Sequence, residues 1–294
     1  MLPVAFSEGV NIHCPMDGKF SFFNSPFPAH QLFTGIDIYP NCEFGDFAPS
    51  PIKGRVVNIR RVKCSEKSSL QVSSFDYVTL LQSLDNPERL VKVLHLAPSI
   101  NCGEAVEVGQ DLGRLLRSGF FNFWTDPHLH IEVRHPSDPL RARGGFRLQL
   151  MMNIDYTTPL KDLCGTVTMV KPEYTLISLE RSSIQGVTVD VGGKTGILDG
   201  GLPHYGWVGV HMMEEPSNGD AVNLCGKPIA SIRAVSGNML LAKCRDVRIQ
   251  VNGVEVGLSL YLFPATNQIK LIPRKLGSLK LEKFEEVSLD IQTS

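Results

Sequence analysis

Asp126-Pro127-His128-Leu129-His130-Ile131-Glu132-Val133-Arg134 sets two histidines two residues apart in a run with the alternation of a β-strand. Successive side chains on a strand point to opposite faces, so His128 and His130 share one face about 6.6 Å apart, with Leu129 and Ile131 on the other. One face is therefore apolar and the other carries imidazole. Neutral imidazole binds zinc, and a second imidazole beside a metal polarises water or steadies an oxyanion. A His-x-His on an exposed strand edge is the plainer explanation, and the motif by itself does not separate the two.

Upstream, His30-Gln31-Leu32-Phe33-Thr34-Gly35-Ile36-Asp37-Ile38-Tyr39-Pro40 reads as a short apolar strand carrying one carboxylate between two isoleucines. Burying an ionised carboxylate alone costs on the order of several kcal/mol, so Asp37 needs a metal, an arginine or a hydrogen-bond donor. The preceding aromatic and proline-rich Phe20-Ser21-Phe22-Phe23-Asn24-Ser25-Pro26-Phe27-Pro28 resists helix and suits an extended loop packed over a core. Downstream, Ala48-Pro49-Ser50-Pro51 leads into an alternating run through Ile59. Phe75 to Leu81 and Leu90 to Leu96 are further strand candidates, split by the turn-forming Asp85-Asn86-Pro87. Glycines at 103, 109 and 113 fall where short strands must bend sharply.

The chain has 294 residues, 43% of them hydrophobic, enough for two domains with well-formed cores. Its 29 basic and 30 acidic residues leave a net charge of -1, so no whole-chain field draws nucleic acid or an anionic membrane, and neither is expected as a partner. The N-terminal residues lack a basic head followed by an apolar core, and no run approaches the ~20 apolar residues of a membrane span. Seven cysteines without a Cys-x-x-Cys pair point to reduced thiols. The expectation is a soluble, cytoplasmic protein.

Asp138-Pro139-Leu140-Arg141-Ala142-Arg143-Gly144-Gly145 marks the exit of a first domain, and the boundary is placed at residues 150 and 151. The second half, 151 to 294, is again strand-like. Arg248-Ile249-Gln250-Val251-Asn252-Gly253-Val254-Glu255-Val256 is a hairpin whose Asn-Gly supplies the positive φ angles of a type I′ turn. His204 and His211, near Tyr205 and Trp207, either edge a groove or sit in a loop packed by aromatics. No helical period longer than a turn or two appears in either half. The expected class is all-β throughout, with the second domain a barrel or sandwich.

Five pieces, in order, resemble the lysostaphin-type zinc endopeptidase family, whose members cleave glycine-rich or peptide cross-links in bacterial cell walls. They are Gly35-x-Asp37-Ile38; Ala48-Pro49-Ser50-Pro51-Ile52-Lys53-Gly54-Arg55-Val56-Val57; Leu94-His95-Leu96; the glycine-spaced run from Gly103 to Gly113; and Pro127-His128-Leu129-His130-Ile131-Glu132-Val133-Arg134. The match spans roughly residues 17 to 143. It implies a curved antiparallel β-sandwich hybrid, with Asp37 and His130 as zinc ligands and His95 and His128 as the pair that orients water and stabilises the oxyanion.

The sequence departs from the family at one position. The family pattern is His-x-Gly-x-Asp, and here Phe33 stands where the first histidine belongs. A catalytic zinc takes three protein ligands plus water, and a phenyl ring has no lone pair to offer. That leaves Asp37 and His130, which favours a degenerate site in a non-hydrolytic binding or assembly module that holds a peptide or protein in its cleft. The alternative is an active zinc metalloendopeptidase or amide hydrolase with a substitute ligand such as His30. On a strand, His30 would lie three residues out of register and on the wrong face.

Overall fold

A computed structural model describes residues 1–64, 72–154, 156, 158–180, 185–214, 221–264 and 268–293. Contacts divide the chain into two units, Met1–Phe20 with Phe27–Met152, and Ser21–Pro26 with Asn153–Ser294. Both are built from antiparallel strands. The one helix among the described residues is the four-residue Pro28–Gln31.

In the first unit a seven-stranded sheet runs in the order Ala105–Val106, Gly54–Lys63, Phe75–Ser83, Leu90–Leu94, Leu129–Arg134, Ile36–Tyr39 and Lys19–Ser21. Leu129–Arg134 lies inside the sheet and all six of its residues are buried. The period-two alternation therefore sorts two different interiors. Leu129, Ile131 and Val133 enter an apolar core with Ile36 and Ile38, while His130, Glu132 and Arg134 face the other side. Pairing places His130 opposite Asp37 on one neighbour and Glu132 opposite Lys92 on the other. Directly opposed residues share a face with their Cβ atoms about 5 Å apart, so register alone lines up an ionic row.

The segment from His30 to Pro40 is not one strand. Pro28 opens the short helix at its first turn, where a missing N–H costs nothing, and the strand begins only at Ile36. The helix ends in a Schellman motif: the Thr34 N–H reaches the Ala29 carbonyl at 2.8 Å, the Phe33 N–H reaches the His30 carbonyl at 3.3 Å, and Phe33 takes φ +62°. This corrects the strand-register expectation for His30, since register has no meaning on a helical turn.

In the second unit, twelve strands form two closed rings. Val187–Val191, Ala221–Leu224, Lys227–Ser236, Met239–Cys244, Trp207–Met212 and Lys194–Leu202 close when the first pairs with the last. Val254–Leu260, Val247–Val251, Glu286–Thr293, Cys164–Val170, Thr175–Leu179 and Gln268–Pro273 close in the same way. The rings meet where Gly200, Gly201 and Leu202 pair with Leu260, Ser259 and Leu258. Closure removes unpaired strand edges, and inward-facing Val, Leu and Ile side chains fill one continuous apolar core. Asn252 and Gly253 have φ of +49° and +75°, the two positive angles of the expected hairpin turn.

His211 is fully buried in this unit and does not edge a groove. Its Nε2 lies 3.0 Å from Asp199 Oδ2, and Asp199 also accepts from the Ser21 hydroxyl and, at 2.7 Å, from the Phe22 N–H.

Candidate metal centre

Three side chains from three local structures converge. Asp37 comes from the strand Ile36–Tyr39, His130 from the strand opposite it, and His30 from the helical turn. His130 Nδ1 lies 2.8 Å from Asp37 Oδ1 and 3.1 Å from His30 Nε2, and His30 Nε2 lies 3.4 Å from Asp37 Oδ1. Zinc bonds of 2.0–2.1 Å at tetrahedral angles span edges of about 3.3–3.4 Å, so the three donor atoms already stand close to the spacing of one face of such a tetrahedron. Two imidazole nitrogens and a carboxylate oxygen are the donor chemistry zinc prefers at open sites. The trio is therefore capable of holding a metal ion.

Gly35 makes room for this arrangement. A Cβ there would fall 2.8 Å from His130 Cε1 and 3.0 Å from Ala29 Cβ, so the ring and the helix both occupy the space a side chain would need. Phe33 is buried and supplies the left-handed residue that ends the helix, while the nitrogen donor comes from His30, three residues earlier.

His128 and His95 flank the trio. His128 Nε2 is 3.7 Å from Asp37 Oδ2, and the His95 ring centroid lies 5.0 Å from that of His128 and 6.2 Å from that of His130. The structure thus brings together all four sequence-derived site residues, Asp37, His95, His128 and His130, and adds His30. The Nδ1–H of His128 donates to the Asp126 carbonyl at 2.9 Å, leaving Nε2 toward Asp37. His95 Nδ1 is 2.6 Å from Asp76 Oδ2, and Tyr39 donates to Asp37 Oδ2 at 3.4 Å. Phe121 stacks near both imidazoles, at 4.7 Å from His95 and 4.9 Å from His128.

A second ring of charge stands behind His130. Its Nε2 lies 3.2 Å from Glu132 Oε1, and Glu132 is held by Lys92 and, at 2.9 Å, by Arg134 Nη1. Arg134 is entirely buried. Such a carboxylate behind a ligating imidazole fixes its tautomer and orientation.

The electrostatics follow from burial and neighbours. Burial opposes ionisation of Asp37, but the imidazoles of His30 and His128 and hydrogen bonds from His130 and His30 hold its carboxyl well below the usual range. Burial pushes His128 down to about 4 despite the nearby Asp37 carboxylate. His130 also feels burial, yet hydrogen bonds to Asp37 and Glu132 raise it to about 9. For Glu132 burial is again outweighed, chiefly by His130 and Lys92, and it falls to about 2. A metal at this site would displace the proton shared within the trio, since ligating histidine must be neutral.

Sequence reasoning passed over Glu132, Asp76 and Tyr39. Glu132 carried a signal, because it lies two residues beyond His130 on the same strand face. Asp76 carried none, since it meets His95, 19 residues away in sequence, only once two successive strands have paired.

Comparison with known proteins gives a family without a function. Residues 12–150 match the family described as "Domain of unknown function (DUF8155) N-terminal domain", and residues 159–292 match the corresponding C-terminal domain. No curated protein matches. Among solved structures, "NMR solution structure of lysostaphin" is similar over 77% of this chain and 94% of its own, at 15% identity and a TM-score of 0.28. That TM-score is too low to bear on fold or function.

Proposed function

We propose that residues 1–150 form a lysostaphin-type metallopeptidase-like domain that hydrolyses an amide bond of a peptide, with zinc held by His30, Asp37 and His130. The observation that carries this reading is the spacing of the three donor atoms, 2.8, 3.1 and 3.4 Å apart, which fits one tetrahedral face. His30 takes the place of the missing family histidine. Zinc, when bound, supplies Lewis acidity and brings the pKa of a coordinated water to about 7.

The chain's own residues do the rest. The neutral His128 ring, its Nδ1–H given to the Asp126 carbonyl, presents Nε2 as a proton acceptor beside Asp37. His95, anchored through Nδ1 beside the His128 ring, would keep its other nitrogen for the oxyanion and the leaving amine. Phe121 shields both rings from water.

A second reading, a non-hydrolytic binding or assembly module, is favoured by how little of the site is open: His30 is 1% exposed, Asp37 2% and His130 8%. Metal analysis of protein purified without added zinc, joined to hydrolysis assays on glycine-rich and mixed-sequence peptides, separates the two. Near-stoichiometric zinc and a metal-dependent cut support the hydrolase. Zinc without cleavage supports the module, and absence of both zinc and cleavage rejects the hydrolase.

A further inference from the structure

We infer that Asp76 is the positioning residue for His95, holding the ring in its Nδ1–H form with Nε2 turned to the reacting face. The role rests on the hydrolase reading for its effect on rate, but not for its effect on the ring. Asp76 lies in the strand Phe75–Ser83, 19 residues from His95 in sequence, and has no exposed surface. One oxygen accepts the His95 backbone N–H at 3.0 Å and the Tyr77 N–H at 2.7 Å. The other meets His95 Nδ1 at 2.6 Å and accepts the Ser118 hydroxyl at 2.6 Å. A single carboxylate thus grips both the backbone and the ring of the same residue.

That double grip coincides with backbone strain. His95 has φ +74°, in the left-handed region that side chains other than glycine seldom enter, between the regular strands Leu90–Leu94 and Leu96–Pro98. Such strain persists only where the surroundings over-determine it, and it gathers at functional sites. A carboxylate behind an imidazole sets which nitrogen carries the proton, and loss of that partner disables the imidazole without removing it. With Nδ1 committed to Asp76, Nε2 is left for chemistry. The edge contacts to Phe120 and Phe121, at 6.1 and 4.7 Å, complete the fixed ring pose.

The test uses the full chain and Asp76→Asn, with ring-nitrogen NMR of His95, zinc content, and kinetics on whichever peptide the wild type cleaves. In the wild type, His95 shows a protonated, slowly exchanging Nδ1 and a bare Nε2; an Nε2–H ring overturns the inference even where no variant folds and no activity is found. Asp76→Asn shifts His95 toward a tautomer mixture and keeps zinc stoichiometry. It lowers kcat by about 100-fold or more with KM nearly unchanged. In a His95→Ala background it slows the enzyme no further, and Asp76→Glu recovers part of the rate. An unchanged ring spectrum, loss of zinc, or an equal loss in the His95→Ala background assigns Asp76 a merely structural role and overturns the inference.

Discussion

Asp37–His130 in the first unit and Asp199–His211 in the second are both buried aspartate–histidine pairs, and their surroundings differ. Asp199 and His211 are both entirely buried, and the carboxylate is consumed by donors from the chain: the Ser21 hydroxyl, the Phe22 N–H and the imidazole. Phe22 and Phe23 close over the His211 ring at 5.1 and 5.7 Å. The backbone is fitted just as tightly there, for a Cβ at Gly209 would fall 1.9 Å from Phe23 Cδ2. Asp37 and His130 instead meet further imidazoles, with His30 at 3.4 Å and His128 at 3.7 Å from the carboxylate. Donors gathered on one carboxylate make a clip, whereas a carboxylate and two imidazoles this close together could hold a metal ion.

The sharpest way to break this comparison is Asp199→Ala. It strands the Ser21 hydroxyl, the Phe22 N–H and His211 without their acceptor, and is expected to destabilise by about 3–5 kcal/mol. Denaturant unfolding with an unchanged m-value checks it, and zinc stoichiometry of the folded fraction should not move. A protein as stable as the wild type would mean that the second pair is not a clip.

His130→Ala should do the reverse. Loss of one of three ligands is expected to weaken zinc binding by about 1000-fold or more in chelator competition, whereas His211→Ala leaves it unchanged. Equal losses from the two variants would abolish the distinction.

Gly35→Ala sharpens it further. The added methyl displaces His130 or the helix bearing His30, with an expected affinity loss on the order of 100-fold. Glu132→Gln is gentler: it keeps the shape behind His130 but removes the charge, for an expected loss of about 10-fold. A titration calorimeter resolves both, and an unchanged affinity in Gly35→Ala would show that the trio is not the zinc site.

Much of the first unit was legible from residues alone, and for local reasons. The alternation in Leu129–Arg134 forecast one apolar and one imidazole face, and the structure keeps that division. Asp37 between two isoleucines announced a buried carboxylate in need of partners, and it has them. His30 was misjudged because a strand period was extended across a segment that contains a helical turn. A four-residue helix is too short to leave a periodic signature, and only its Pro28 hinted at a start. Asp76 was invisible because its partner is chosen by strand pairing, which no short window of sequence contains.

Sequence by itself determined the strand-rich class, the Asn252-Gly253 hairpin and the residue types that bear lone pairs, since these depend on dihedral preference and on chemistry carried by each residue. Tertiary structure alone decided which of those lone pairs meet, how twelve strands close into two rings, and how Phe33 ends a helical turn that brings His30 to Asp37. The reason is geometric. A donor set is defined by distances of about 3 Å in space, and such distances are created by register, helix endings and ring closure rather than by neighbourhood along the chain.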